Sequence, residues 1–276
     1  MENSKTLIFT DLDGTLLDHF TYSFDAALST IEQLKNANIP IILNTSKTQA
    51  ELAIIQKCLA LNAPFIIENG AAVFIPRTTF KTQPVDTLTV GDYWVKAFSS
   101  PREHWLKLLE KNAKQFKAQY KGFSSFTLDE LSQTTGLTLE EAKRAKQRQY
   151  GEPIQWLGDE ENKTKFISLL SYLGANVVQG GRFIHINGHC SKGQALTWLT
   201  ALYQANEQTT PFTTVALGDG ENDVSMLEAA DIAVQIRSPV HDFPTVNKVN
   251  NTIKTQAHGP EGWAEALQIL LFNTHI

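Results

Sequence analysis

Short apolar runs that stop abruptly at polar residues recur along the chain. Leu7-Ile8-Phe9 leads to Asp11, Ile39 to Leu43 leads to Thr45-Ser46-Lys47, and Phe65-Ile66-Ile67 meets Glu68-Asn69-Gly70. Toward the other end Val215-Ala216-Leu217 meets Gly218-Asp219, and Ile232 to Ile236 forms one more run. Runs this short and continuous read as strands buried on both faces. Between them apolar residues fall at helical spacing: Leu28, Ile31 and Leu34, then Leu52, Ile55 and Leu59, then Leu196 and Leu199. Strands alternating with amphipathic helices predict an α/β fold with a doubly wound parallel sheet. Cys58, beside Leu59 in the second helical pattern, is expected in the core.

From about Val85 to Gly188 the texture changes. Aromatic residues become frequent, a Lys- and Gln-rich helical pattern runs through Arg144 to Arg148, and strands are expected around Val177 and from Phe183 to Ile186. The pattern predicts a core of residues 1–84 and 189–276 interrupted by an α+β insertion at 85–188. Arg77 to Thr89, containing Thr and Pro, would lead out, and Asn187-Gly188-His189 would lead back.

In open α/β sheets ligands bind beyond the carboxyl ends of the strands, so the polar residues ending the apolar runs belong together. Asp11-Leu12-Asp13-Gly14-Thr15 sets two carboxylates two residues apart where a buried strand ends. One can attack an electrophile while the other handles protons. A calcium loop would want glycine at the sixth place, which here is Leu16. Gly218-Asp219-Gly220 could open a dinucleotide loop, but the third glycine position is Asp223, whose charge repels a pyrophosphate. Carboxylates suit a hard ion, and Mg2+ on Asp11 and Asp219 with the Asp13 carbonyl would cancel repulsion between an aspartate and a phosphate. Lys192, opening a helical pattern in Ser191-Lys192-Gly193, offers a cation beside helix N-terminal amides, and Thr45 a short hydroxyl donor. Thr45 or Ser46 would also cap the helix that starts near Gln49.

Charge and composition narrow the class. With 29 acidic against 24 basic residues among 276 and no block of like charge, nothing attracts nucleic acid. The longest apolar runs fall far short of the roughly 20 residues that span a bilayer, so no membrane partner is expected. Two cysteines far apart offer neither a disulfide framework nor a four-ligand zinc site, and the first residues lack a signal-peptide pattern, so a cytoplasmic setting is expected.

Asp11 to Thr15, Thr45, Lys192 and Gly218-Asp219-Gly220-Glu221-Asn222-Asp223, in that order, resemble the four motifs of the haloacid dehalogenase superfamily of phosphatases. The resemblance implies a Rossmann-like core and, in the insertion, a type IIB cap that decides the substrate. It implies Asp11 as nucleophile, Asp13 as acid and base, and Asn222 and Asp223 as support for the metal shell. A narrower similarity, to mannosyl-3-phosphoglycerate phosphatases, rests on Asn44-Thr45-Ser46-Lys47-Thr48, on Gly180-Gly181-Arg182-Phe183-Ile184-His185 and on Glu152-Pro153-Ile154-Gln155-Trp156. It implies a small phosphorylated sugar-type substrate. The expected recognition residues are Ser46, Lys47, Arg182 and, more weakly, Arg148, with Trp156 suited to a sugar ring. Strand alternation sets Arg182 and His185 on opposite faces, and Arg182, with its fork for a carboxylate, is preferred. The rivals are a phosphatase for another sugar phosphate, a phosphomutase of similar architecture, and a binding protein that has lost turnover.

Overall fold

A computed structural model describes residues 4–180, 183–207, 209–248 and 250–272. In chain order its first elements are β1 (Lys5–Thr10), α1 (Leu28–Asn36), β2 (Ile41–Asn44), α2 (Gln49–Leu59), β3 (Phe65–Ile67), β4 (Ala72–Pro76), β5 (Leu88–Val90) and β6 (Tyr93–Ala97). There follow α3 (Arg102–Asn112), β7 (Tyr120–Gly122), α4 (Leu128–Thr135), α5 (Leu139–Ala145), β8 (Glu152–Trp156), α6 (Glu160–Tyr172), β9 (Asn176–Gly180) and β10 (Phe183–Asn187). The last are α7 (Lys192–Asn206), β11 (Phe212–Gly218), α8 (Val224–Ala229), β12 (Ile232–Arg237), β13 (Thr252–His258) and α9 (Gly259–Phe272). They form two compact units. One takes Met1–Thr45, Leu61–Lys96 and Ser191–Ile276, the other Ser46–Ala60 and Ala97–Cys190.

The first unit holds a nine-stranded sheet in the order β13-β12-β11-β1-β2-β3-β4-β6-β5. Pairing is parallel from β13 through β3 and antiparallel at β3/β4 and β5/β6, so the expected parallel sheet is a mixed one. The cause is local. The link from β3 to β4 is too short for a crossover and folds back as a hairpin, with Glu68, Asn69 and Gly70 all at positive φ. The β5–β6 hairpin, within the stretch assigned to the insertion, extends the edge of this sheet.

Leu7, Ile8, Phe9, Ile42, Leu43, Val215, Ala216 and Leu217 are all buried, as their uninterrupted runs require. Truncating a filled position such as Phe9 to alanine would cost about 3–5 kcal/mol. From β1 the chain proceeds to β2 and β3 on one side, while β11, β12 and β13 lie on the other, so the topology switches at β1. Thr10 is in register with Leu217 on β11 and with Leu43 on β2. Asp11, Thr45 and Asp219, each just past its strand, are thereby gathered at one end of three adjacent strands.

The second unit contains an antiparallel sheet, β7-β8-β10-β9. Its core is aromatic: Trp105, Phe116, Phe166, Leu170, Ile154 and Ile184 are buried together, with a smaller cluster of Phe123, Phe126 and Leu131. Trp156 packs against Phe166 at 5.2 Å between ring centroids and donates its indole N–H to the Asp159 carbonyl at 3.0 Å. Trp156, expected to suit a sugar ring, is thus partly buried against this cluster.

Helix α2 groups with this unit. Its cap is Thr48 and not Thr45 or Ser46: the Thr48 side chain accepts from the Glu51 amide while Glu51 reaches back to the Thr48 amide. Cys58 is exposed on α2, so its expected core position is wrong; the buried residues of that helix are Leu52 and Leu59. The helix expected through Arg148 ends at Ala145, and Arg148 lies in the loop that follows, half-buried instead of on a solvated helical face.

Candidate active site

The chain leaves β1 in a tight turn, in which Gly14 and Leu17 amides bond the Leu17 and Leu12 carbonyls. Gly14 sits at φ +78, and a Cβ there would come within 2.6 Å of an Asp219 carboxylate oxygen. Glycine is therefore required both by the turn and by the neighbouring aspartate. The backbone at Asp11 is fixed from two directions. The Asp11 amide donates to the Leu217 carbonyl, and Thr10 Oγ1 donates to the Asp11 carbonyl while accepting from the buried Trp263 indole.

Lys192 opens α7 behind the cap Ser191, whose side chain accepts from the Gln194 amide. The lysine is almost wholly buried at 1% exposure, which rules out a solvated surface role. Two contacts hold that helix end in place. Asn44, the last residue of β2, donates to the Lys192 carbonyl at 3.1 Å. Gly193 lies so close to α8 that a Cβ would meet the Ser225 carbonyl at 2.1 Å. Lys192 Nζ thereby reaches Asp11 Oδ1 at 2.5 Å and Asp223 Oδ1 at 2.6 Å.

Asp223 bonds through its other oxygen to the amides of Asp219 and Gly220, fixing the loop after β11. Asp219 accepts from Thr15 Oγ1 at 3.1 Å and stands 3.3 Å from His241 Nε2. Burial, then the Asp223 carboxylate, pushes the Asp11 carboxyl well above its usual range, against the pull of Lys192. The same two causes raise Asp219. Burial draws the Lys192 ammonium down, but Asp11 and Asp223 together raise it above an ordinary lysine.

Oxygens of Asp11, Asp219 and Asp223 lie within 4.8 Å of one another. Three carboxylates face one ammonium, an excess of negative charge that a divalent cation would balance, and oxygen donors of this kind are those of Mg2+. The donor set thus fits magnesium. Asp223, expected in a supporting role, stands within this triad; Asp13, just past Leu12, is half-buried in the turn. Asn222 is exposed and its amide donates to Asn69 Oδ1 at 3.4 Å. Thr45 is buried, its amide on the Ile66 carbonyl and its own carbonyl accepting from the Asn69 amide.

The remaining expected residues lie in the second unit. Arg148 Nη2 donates to the Ser46 carbonyl at 3.1 Å, and the Glu141 carboxyl is held below its usual range by hydrogen bonds from Thr138 and, more weakly, by the charges of Arg144 and Lys47. His185, set aside in the sequence in favour of Arg182, is half-buried beside Arg148; burial first, then the Arg148 charge, pushes its pKa down to about 4. Arg182 lies outside the described residues. Thr15, Asn44, His241 and Trp263 join the site without having been singled out. Thr15 and Asn44 were visible inside their motifs, whereas the other two had no local signal.

Buried acids, a buried lysine and a magnesium-fitting triad gathered at the topological switch of the sheet define a metal-dependent phosphatase of the α/β class. Residues 8–243 match the haloacid dehalogenase-like hydrolases, and the chain belongs to that family. Two relatives carry the name glucosyl-3-phosphoglycerate/mannosyl-3-phosphoglycerate phosphatase. That of Methanococcoides burtonii is 39% identical over 97% of each chain, and that of Persephonella marina 35% identical over 96% of this chain and 97% of its own. A solved phosphatase of the superfamily from Bacteroides thetaiotaomicron shares the fold, with a TM-score of 0.64 at 20% identity over 96% of this chain and 95% of that one. Among the described residues no helix is long and apolar enough to cross a membrane.

Proposed function

We propose that the chain dephosphorylates glucosyl- and mannosyl-3-phosphoglycerate in the cytosol, giving the glycosylglycerate and inorganic phosphate. The observation that carries this reading is a similarity to two phosphatases of that name that runs through the whole chain, second unit included. The insertion at 85–188, apart from the β5–β6 hairpin that joins the first unit's sheet, serves in it as the specificity domain.

Asp11 attacks the phosphorus in line, and the bond to the glycerate oxygen breaks as Asp13 protonates that oxygen. Asp13 then takes a proton from water, whose oxygen attacks the aspartyl phosphate, restoring Asp11 and releasing phosphate. Lys192, paired with Asp11 and Asp223, offsets the charge of the phosphoryl oxygens and favours the ionised, nucleophilic form of Asp11 against the burial that opposes it. Asp11, Asp219 and Asp223 would hold a magnesium ion, which would supply further neutralisation of that charge. Thr45 donates to a phosphoryl oxygen, and Asn222 supports the metal shell.

The glycerate carboxylate separates this substrate from a hexose phosphate. Lys47 and Arg148, together with Ser46 and Arg182, supply its recognition. The test compares kcat/KM for the two glycosyl-3-phosphoglycerates with hexose 6-phosphates, sucrose phosphate and 3-phosphoglycerate. In Arg148→Ala the glycosyl-3-phosphoglycerates should lose about 10- to 100-fold, and an aryl phosphate little. A hexose phosphate turned over as well as the glycosyl compounds would refute the substrate.

A further inference from the structure

Glu152 on β8 is fully buried and bonded through both oxygens. Its Oε1 accepts from the Ser124 amide at 2.9 Å and hydroxyl at 2.7 Å, an approach open only because Gly122 has no Cβ, which would lie 2.3 Å away. Its Oε2 receives Arg102 Nε at 2.6 Å, with Nη2 at 2.5 Å. The guanidinium plane is thus fixed, and its remaining edge donates from Nη1 to the Lys146 carbonyl at 2.9 Å. The Arg102 amide donates to the Gln149 carbonyl at 2.7 Å. One residue therefore holds both ends of the loop from Lys146 to Gln149.

That loop carries the contacts to the segment from Ser46 onward. Arg148 Nη2 donates to the Ser46 carbonyl at 3.1 Å, Gln149 Nε2 to Gln49 Oε1 at 2.8 Å, and just before the loop the Arg144 carbonyl accepts from Thr48 Oγ1 at 3.1 Å. A buried ion pair is a poor source of stability, because desolvation offsets its attraction, but it fixes orientation. Arginine suits the task because its planar fork delivers several bonds at set angles, which lysine cannot.

We infer that Arg102 and Glu152 are a positioning pair for substrate specificity: together they set the 146–149 loop, and through it the placement of Arg148 and of Ser46-Lys47. The inference rests on the proposed carboxylate recognition by Arg148 and Lys47. It separates specificity from chemistry, since neither Arg102 nor Glu152 touches the reacting atoms in that mechanism.

The test uses the full chain in four variants, Arg102→Lys, Glu152→Gln, Ser124→Ala and Arg148→Ala, each assayed with mannosyl-3-phosphoglycerate and with an aryl phosphate. Arg102→Lys and Glu152→Gln should raise KM for the glycerate compound roughly 10-fold, with kcat little changed and the aryl phosphate unaffected. Ser124→Ala, which removes one hydroxyl bond, should act the same way in smaller measure and keeps the test open if a charged variant does not fold. Combining Arg102→Lys with Arg148→Ala should cost less than the two single effects together, because both act in part through the Arg148 contact. A selective effect of Arg148→Ala with wild-type KM in the other three overturns the positioning role alone. An Arg148→Ala effect shared equally by both substrates overturns the carboxylate reading and the positioning role with it. Equal loss on both substrates in Arg102→Lys marks a merely structural pair.

Discussion

Each unit buries charge, and the two do so on opposite terms. In the first unit Asp11, Asp219 and Asp223 face the single ammonium of Lys192, and burial raises the pKa of both Asp11 and Asp219. In the second, Glu152 meets Arg102 one to one, and both its oxygens are met by donors within the fold. The imbalance marks the first cluster as a site, since it is complete only with a cation and a substrate. The balance marks the second as a fixture, whose output is geometry.

The largest effect that would break this comparison is loss of the nucleophile. Asp11→Asn should lower turnover by about 10⁴-fold or more and yield no trapped phosphoenzyme, whereas Asp13→Asn should slow it by about 10² to 10⁴. Near-normal rates in Asp11→Asn, measured by phosphate release, would return that cluster to a structural role.

The charge imbalance itself is tested by the cation. A chelator should abolish turnover, and magnesium at about 100 times its dissociation constant should add about 2.7 kcal/mol of stability, read as a rise in Tm. Lys192→Met, removing the buried ammonium of this cluster, should cut turnover by about 10² to 10³ and lower affinity for substrate as well. If magnesium failed to stabilise the wild-type protein, the triad would not be its site.

The smallest effect belongs to the second unit. The His185 pKa is about 4 in the folded protein against 6.5 unfolded, so between those values the unfolded chain binds a proton that the native one refuses. Stability should therefore be complete above about pH 6.5 and decline as pH falls toward 4. Denaturant melts across that range should show the slope, and His185→Gln should flatten it. An unchanged slope in the variant would assign the acid sensitivity elsewhere.

Much of the site could be read along the chain because strand ends are local events. An apolar run that stops at a polar residue says where a buried strand opens to solvent; Asp11, Thr45 and Asp219 were each legible that way. The short hairpin after β3 was hidden because Glu68-Asn69-Gly70 marks a turn without saying whether the next strand returns alongside. Arg148 was misplaced for a related reason. Helical composition through residue 148 could not show that Arg102, far back in the chain, bonds the Lys146 and Gln149 carbonyls just past the helix end at Ala145.

The sequence by itself determined the alternation of strands and helices, the order of the motifs and the chemistry available at each strand end, since these depend on neighbours within a few residues. Only the tertiary structure decided which charges meet. Lys192 was legible as a helix-start cation, but its place between Asp11 and Asp223 depends on Asn44 and Gly193 docking α7 against the sheet and α8. The same holds for His241 beside Asp219 and Trp263 behind Thr10. Such contacts join residues distant in sequence, and burial, which sets their strength, is a property of the packed chain and not of any segment of it.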